Sequence, residues 1–216
     1  GNDFTATVTV NPEPVGVATP ASQTVCSDVA ITTIALTTSN SLTGTTFAWT
    51  RDNTTNITNL SASGSGDISG TPNNVTGSSQ TTTYTITPTS TDGCVGNDFT
   101  ATVTVNPEPV GVATPASQTV CSDVAITTIA LTTSNSLTGT TFAWTRDNTT
   151  NITNLSASGS GDISGTPNNV TGSSQTTTYT ITPTNGGCVG NDFTATVTVN
   201  PEPVGVATPA SQTVCS

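Results

Sequence analysis

The sequence predicts an all-β protein made of tandem antiparallel β-sandwich repeats, with about seven strands in each repeat. Gly1 to Thr89 recurs letter for letter as Gly96 to Thr184, and Gly1 to Ser27 recurs once more as Gly190 to Ser216. Inside each copy, short stretches alternate between apolar residues and threonine, which is the pattern of a strand with one buried face. No segment carries the apolar stripe of an amphipathic helix.

The repeat also sets the expected domain boundaries. A unit of about 95 residues is long enough to bury a modest core of its own. Pro12-Glu13-Pro14 and its two copies lack most of their backbone donors and favour an extended chain, so we interpret them as short linkers. We therefore predict a closing strand of a preceding repeat at 1–11, linkers at 12–14, 107–109 and 201–203, sandwich repeats at 15–106 and 110–200, and an opening strand of a following repeat at 204–216.

The individual strands follow from the alternation. In Phe4 to Val10 the apolar side chains share one face and the threonines share the other. The stretches Thr45 to Thr50 and Thr81 to Thr87 alternate in the same way and are rich in β-branched and aromatic residues. Further strands are expected at Val15 to Thr19, Thr24 to Cys26, Val29 to Leu36, near Val75 and at Phe99 to Val105, whereas the polar stretch Arg51 to Gly66 is expected to form a loop or a ragged edge strand.

Charge is scarce in this chain and almost entirely negative. Only 7% of the residues are charged, and 13 acidic residues stand against two basic ones, for a formal net charge of −11. Nucleic acids and anionic membranes are poor partners for such a chain, because binding them requires Lys and Arg side chains. No apolar run is long enough to cross a bilayer, so no membrane span is expected in this segment.

The cysteines indicate disulfides and therefore an oxidising compartment. The chain has no C-x-x-C motif and no histidine, which argues against a zinc site. With these linkers, Cys26–Cys94 and Cys121–Cys188 bridges lie within repeats, whereas the alternative bridges Cys94–Cys121 and Cys188–Cys215 cross a linker. We favour the first pairing, since closing a loop of this length should stabilise a repeat by about 4 kcal/mol.

Five motifs follow one another along each repeat. In the first repeat they are Thr24-Val25-Cys26-Ser27, Thr46-Phe47-Ala48-Trp49-Thr50, Tyr84-Thr85-Ile86-Thr87-Pro88-Thr89, Gly93-Cys94 and Thr102-Val103-Thr104-Val105-Asn106-Pro107. This order resembles the immunoglobulin-like superfamily and, more closely, the PKD-like repeats of very large bacterial surface proteins. One departure is that the cysteines flank the strands here, whereas in antibody-like domains they lie inside two facing strands.

The resemblance implies a function as well as a fold. Such arrays look like those of giant adhesins that Bacteroidota export by the type 9 route, so we expect an extracellular stalk or fibre on a bacterial cell surface. Its partners would be neighbouring identical repeats, and no particular surface or glycan ligand is predicted. Two alternatives stay open: a filament of separate copies that donate an edge strand, through Phe4 to Asn11 or Val204 to Cys215, and a carbohydrate-binding module.

No catalytic, cofactor or metal site is predicted. The usual bases and nucleophiles are missing, because the chain has no histidine or lysine and its cysteines are assigned to bridges. Asp28, Asp52 and Asp67 are the candidates for a carboxylate pair, and we interpret them as solvated loop residues, since aromatic residues make up only 4% of the chain. No D-x-D-x-D-G calcium motif is present.

The two tryptophans are expected in the core. Trp49 and its copy Trp144 lie in mid-strand, and a sandwich with so few large apolar residues needs its tryptophan inside. Phe4, Phe47 and Tyr84 are the predicted neighbours. A role as a stacking platform for sugars is the less favoured interpretation.

Eight asparagines begin an N-x-S/T sequon and are candidate glycosylation sites. They are Asn53, Asn56, Asn59, Asn74, Asn148, Asn151, Asn154 and Asn169. The loop at 51–61 is the preferred place for a glycan, because it is polar and expected to be exposed.

Overall fold

A computed structural model describes residues 1–208 and 211–214 and confirms the all-β fold. The chain divides into two compact units, Gly1–Glu108 and Pro109–Ser216. Each unit contains one sandwich of immunoglobulin-like type, whose strands form where apolar residues alternate with threonine. All regular elements in the described residues are strands.

In the first repeat the structure describes nine strands. They are β1 (Gly16–Thr19), β2 (Ser22–Cys26), β3 (Ala35–Thr38), β4 (Thr46–Arg51), β5 (Ile57–Thr58), β6 (Ser63–Ser65), β7 (Asn73–Asn74), β8 (Gln80–Thr89) and β9 (Phe99–Asn106). The larger sheet has the order β2-β9-β8-β4-β6, while β1 pairs with β3 and β5 pairs with β7. The closing strand β9 therefore lies between β2 and β8 of its own repeat.

The second repeat has the same arrangement. Its strands are β10 (Gly111–Thr114), β11 (Ser117–Cys121), β12 (Ala130–Thr133), β13 (Thr141–Arg146), β14 (Ile152–Thr153), β15 (Ser158–Ser160), β16 (Asn168–Asn169), β17 (Gln175–Asn185), β18 (Cys188–Val189) and β19 (Phe193–Asn200). Its larger sheet runs β11-β19-β17-β13-β15, and β18 pairs with β17. The additional short strand β18 directly follows the turn at Asn185-Gly186-Gly187, where the two copies differ in sequence.

The core of each repeat lies between the larger sheet and the two smaller strand pairs, which are β1-β3 and β5-β7 in the first repeat. Along β9, Ala101, Val103 and Val105 are fully buried while the intervening threonines are only partly covered. Ile34 and Leu36 face them from the side of β3. Each fully buried Val, Leu or Ile side chain contributes about 1.5–3 kcal/mol, so the predicted alternation supplies the main stabilising force.

Two strand predictions are corrected by the structure. The sandwich is mainly antiparallel, but β2 runs parallel to β9, in a register from Ser22↔Thr102 to Cys26↔Asn106. The strand expected at Val29 to Leu36 begins only at Ala35, because the preceding backbone bonds elsewhere: Ile31 N donates to Gly70 O at 2.9 Å. The polar stretch Arg51 to Gly66, expected to form a loop or a ragged edge strand, holds β5 and the edge strand β6.

The segment predicted as a closing strand of a preceding repeat forms no strand here. Residues 1–11 have the same sequence as the segment that contains β9, yet Val8 and Val10 are 85% and 86% exposed while their copies Val103 and Val105 are fully buried. The alternating pattern becomes a strand only where β2 and β8 supply its partners. The opening strand predicted at 204–216 lies partly outside the described residues, and its described part is not assigned to a strand.

A buried arginine organises the polar loop of each repeat. Arg51 ends β4 with 8% of its surface exposed. Its guanidinium donates five hydrogen bonds, all to backbone carbonyls: Nε to Ser61 O at 3.0 Å, Nη1 to Asp52 O at 3.2 Å and Asn53 O at 3.1 Å, and Nη2 to Ile57 O at 3.0 Å and Leu60 O at 2.9 Å. Arg146 makes the same five contacts in the second repeat. The loop is thus shaped around a cation rather than around apolar side chains.

We predict that Arg51→Met lowers the stability of the first repeat by about 3 kcal/mol or more, because it leaves buried carbonyls without donors. Arg51→Met keeps the aliphatic bulk of the side chain. Chemical denaturation should then resolve two transitions, with the second repeat unfolding as in the parent protein. Arg146→Met is the matched variant and should weaken the other transition. A single, unshifted transition in either variant would contradict this role.

The two tyrosines predict a loss of stability at alkaline pH. Burial raises the pKa of Tyr84 and Tyr179, and the nearby cations Arg51 and Arg146 lower it in part. Stability is therefore retained below about pH 10, the unfolded pKa, and falls as the pH rises through and above it toward the folded pKa. Tyrosinate absorbance of the folded protein should appear only above about pH 10, the unfolded pKa, and Tyr84→Phe combined with Tyr179→Phe should move unfolding to higher pH. Titration of Tyr84 and Tyr179 near pH 10 in the folded protein would refute this prediction.

Candidate functional sites at the repeat ends and on the polar loop

The two cysteines of a repeat lie at its opposite ends. Cys26 ends β2 directly opposite Asn106, the last residue of β9, so it lies at the trailing end, where the chain leaves the repeat. Cys94 precedes β9 and lies at the leading end, where the chain enters, with its Sγ 3.8 Å from Asn11 O. Since β9 has eight residues, about 23 Å separates these ends. A disulfide needs Cα atoms within about 7 Å.

The predicted bridges within repeats are therefore wrong. Cys94 and Cys121 are free thiols, whereas Cys26 and Cys188 are each disulfide-bonded. Cys26–Cys94 and Cys121–Cys188 both fail because each pair spans the length of a sandwich. The alternative Cys94–Cys121 bridge fails as well, since both of its members are free. Cys215, the last member of the alternative pairing, lies outside the described residues.

The three candidate carboxylates are each engaged by a different structural element. Asp52 Oδ1 accepts a hydrogen bond from Thr83 N at 2.7 Å, and Asp67 Oδ1 accepts one from Leu36 N at 2.9 Å. Both carboxylate oxygens of Asp28 accept from the Asn73 side chain. The structure does not bring them together as a catalytic pair. They hold loops against strands, and are thus structural acceptors rather than simply solvated loop residues.

The tryptophans pack against the core, as predicted. Trp49 meets Tyr84 edge to face, with ring centroids 5.4 Å apart, and its Nε1 donates to Gly66 O at 2.9 Å. The ring lies so close to Gly64 that a Cβ there would collide with it. Phe4 is not a neighbour, being 97% exposed, and its copy Phe99 packs against Phe47 instead. Trp144 has the same edge-to-face contact with Tyr179.

The sequon asparagines differ widely in their access to solvent. Asn74 is buried, and its Nδ2 donates to Ser78 O at 2.8 Å and Val105 O at 2.7 Å. Asn53 and Asn56 are half-buried and bonded to the segment that starts β8. Asn59 is exposed on the loop. Their copies in the second repeat have the same burial: Asn169 is buried, Asn148 and Asn151 are half-buried, and Asn154 is exposed.

Within residues 1–208 and 211–214, no group of three or more His, Cys, Asp or Glu side chains is placed to hold a metal ion. In the same residues, no helix is long and apolar enough to cross a lipid bilayer.

Comparison with known proteins agrees with this architecture. A family model described as a PKD-like domain matches residues 23–109 and again residues 118–203. The chain belongs to the PKD-like domain family. PKD-like domains share the immunoglobulin-type sandwich and are typical of extracellular, adhesion-type repeats, and they are structural domains rather than enzymes. No curated protein matches the chain.

Solved structures give only weak overall similarity to this PKD-like protein. The IG1+IG2 structure of DIP-gamma is 10% identical, with 89% of this chain and 99% of that chain covered, at a TM-score of 0.44. Human protocadherin-24 EC1-2 is 9% identical, with 90% and 100% covered, at a TM-score of 0.43. Mouse cadherin-23 EC22-24 is 12% identical, with 89% and 68% covered, at a TM-score of 0.37. The family assignment therefore rests on the sequence match.

The loop geometry predicts which asparagines accept a glycan. In a host that glycosylates sequons, glycans should be found at Asn59 and Asn154, because their side chains are exposed. Asn74 and Asn169 should stay unmodified, because their amides already donate inside the fold. Glycopeptide mass spectrometry of the parent protein, Asn59→Gln and Asn74→Gln measures this directly.

Asn59→Gln should remove the glycan from the first loop without changing stability. Asn74→Gln should leave the glycan pattern unchanged but lower stability by about 1–3 kcal/mol, since it disturbs a buried hydrogen-bonding side chain. A glycan at Asn74 in the folded protein would contradict the burial described here.

Proposed function

We propose that this chain is part of the stalk or fibre of a large bacterial cell-surface adhesin, of the kind that Bacteroidota export by the type 9 route. The observation that carries the proposal is that two nearly identical sandwiches each take all their strands from their own stretch of chain. Each repeat is thus a complete unit that can be copied end to end. Adding copies would increase length without requiring any new contact.

The surface chemistry supports a spacer rather than a binding module. The chain has two basic residues, and both are buried arginines that donate to backbone carbonyls. The exterior therefore carries carboxylates, amides and hydroxyls without cations. At the trailing end of the first repeat, burial raises the pKa of Glu108, and the negative charge of Asp28 raises it further. The few charges on this exterior are negative, and their mutual repulsion opposes self-association.

The filament alternative has one observation in its favour. Residues 1–11 are exposed and unpaired in the structure, and they carry the sequence of a closing strand. However, β9 and β19 already occupy the position that a donated strand would take in each described repeat. The carbohydrate-binding alternative is less well supported, because the tryptophan rings pack inward against Tyr84 and Tyr179.

The stalk proposal predicts a length that grows in proportion to repeat number. In proteins of two, four and eight repeats, small-angle scattering and electron microscopy should find the maximum dimension rising by about 40 Å per repeat, a value set by strands of seven to ten residues and short linkers. Sedimentation should find monomers over a wide concentration range. A dimension that stops growing after the second repeat would exclude a stalk.

A matched variant separates the stalk from the filament. Phe4→Asp combined with Val8→Asp removes the apolar face of the exposed segment and leaves both sandwiches intact. If the stalk proposal holds, the parent and this variant sediment alike. Polymerisation of the parent that the variant abolishes would instead support strand donation between copies.

A further inference from the structure

Each repeat contains one bond that an arginine-directed protease can recognise. The only basic residues of the chain are Arg51 and Arg146, which have the same position in the two repeats. Trypsin-like endoproteases select the residue before the cleaved bond by its side chain, which enters a pocket with a carboxylate at its base. The bonds that such an enzyme recognises here are those between Arg51 and Asp52 and between Arg146 and Asp147.

In the folded repeat the fold itself holds the side chain that the enzyme must bind. Arg51 and Arg146 are each only 8% exposed. The guanidinium of Arg51 donates to carbonyls of the loop that follows it, among them Leu60 O at 2.9 Å and Ile57 O at 3.0 Å. The same N–H groups would have to donate to the carboxylate in the protease pocket. The guanidinium therefore cannot enter that pocket while the loop is in place.

The backbone on both sides of the bond is held as well. Arg51 N donates to Ala62 O at 2.9 Å, and Asp52 N donates to Thr83 O at 3.1 Å. The Asp52 carboxylate accepts from Thr83 N at 2.7 Å, which fixes the residue after the bond against β8. A bond in such a position is cleaved from an opened state of the protein and not from the folded one.

The loop itself is not hidden, and only its arginine is. Thr54 and Thr55 are exposed at the turn that follows the bond, and residues 61–65 are exposed as well. Exposed loop tips with small polar residues are the preferred places for proteolytic nicking. This loop nevertheless carries no basic side chain besides the buried one. The residue that directs cleavage is thus the one that the fold encloses.

We propose that the bonds after Arg51 and Arg146 are latent cleavage sites for an endoprotease that cuts after arginine. Each site is closed in the folded repeat and opens when the polar loop leaves its arginine. Water then adds across the peptide bond, which leaves a carboxylate on the arginine and an amine on the following aspartate, and no other reactant is needed. The hydrogen bonds that close the site are the ones that hold the loop, so the site opens only when the repeat loses them.

One latent site in each repeat couples cleavage to the loss of folding. A folded repeat presents no accessible arginine to the protease, whereas a repeat opened by heat or by tension presents one. In the first repeat the cut falls between β4 and β5, so it separates the first four strands from the last five. An array would then be cut at its unfolded repeats and spared at its folded ones. This inference depends on the fold of the repeat and holds whether or not the array is a stalk.

Limited digestion of the full chain with trypsin tests the proposal, with fragments identified by mass spectrometry after denaturation and reduction. Thr54→Arg places an arginine at the exposed turn and should be cut there in the native protein, and Thr149→Arg is the matched variant in the second repeat. The native parent should be cut after Arg51 at least roughly 100-fold more slowly than the urea-unfolded parent, because a stable domain is almost entirely closed. Native and unfolded parent cut at similar rates after Arg51 would overturn the proposal.

A lysine variant tests whether the carbonyl contacts close the site. Trypsin also cuts after lysine, but an ammonium has three donors, fewer than the five hydrogen bonds that Arg51 makes. Arg51→Lys should therefore raise native cleavage after residue 51 by roughly tenfold or more, since buried carbonyls lose their donors. Arg146 should stay protected in this variant, and Arg146→Lys should reverse the pattern.

Cleavage of Arg51→Lys no faster than that of the parent would show that these contacts do not close the site, and would overturn the proposal. The comparison of native with unfolded parent uses the unaltered arginine. It therefore decides the question even where a lysine variant does not fold.

Discussion

A buried guanidinium is the interaction on which the polar part of each repeat depends. The stretch after β4 has few apolar side chains, so burial alone gives it little stability. Arg51 compensates by donating to five carbonyls along the loop, and this holds Ile57 in the core. Once the loop is held, Asp52 can accept from Thr83 and dock the loop onto β8. The same residue type that would bind anions on a surface is thus used inside the fold.

This use of the arginines connects the fold to the proposed function. Because both cations are buried, the outside of each repeat presents hydroxyls, amides and carboxylates, and the threonine face of the larger sheet is stabilised by pairs such as Thr81 and Thr104, whose hydroxyls are 2.9 Å apart. Such a surface is soluble with little charge and offers few strong contacts. A long array of these units would hold other domains away from a cell without adhering to its own neighbours.

The candidate sites were predictable only in part from the sequence. The tryptophan position followed from its place in an alternating strand, and its contact with Tyr84 is confirmed. The cysteine pairing was wrong because spacing along the chain does not tell which end of a sandwich a residue occupies. The information that the sequence analysis lacked is the pairing of β2 with β9. In that pairing Cys26 lies opposite Asn106, which places the first cysteine at the trailing end. The sequons likewise look alike in sequence, although Asn74 is buried and Asn59 is exposed.

By itself the sequence determined the repeat, the alternating strands, the sandwich class and the scarcity of cations, because these depend on local pattern and composition. The tertiary structure decided which copies of the pattern become strands. Phe99–Asn106 is a buried strand, whereas the identical segment at 4–11 is exposed and unpaired. The physical reason is that a strand needs hydrogen-bonding partners and an opposing apolar face, and both come from residues distant in the sequence.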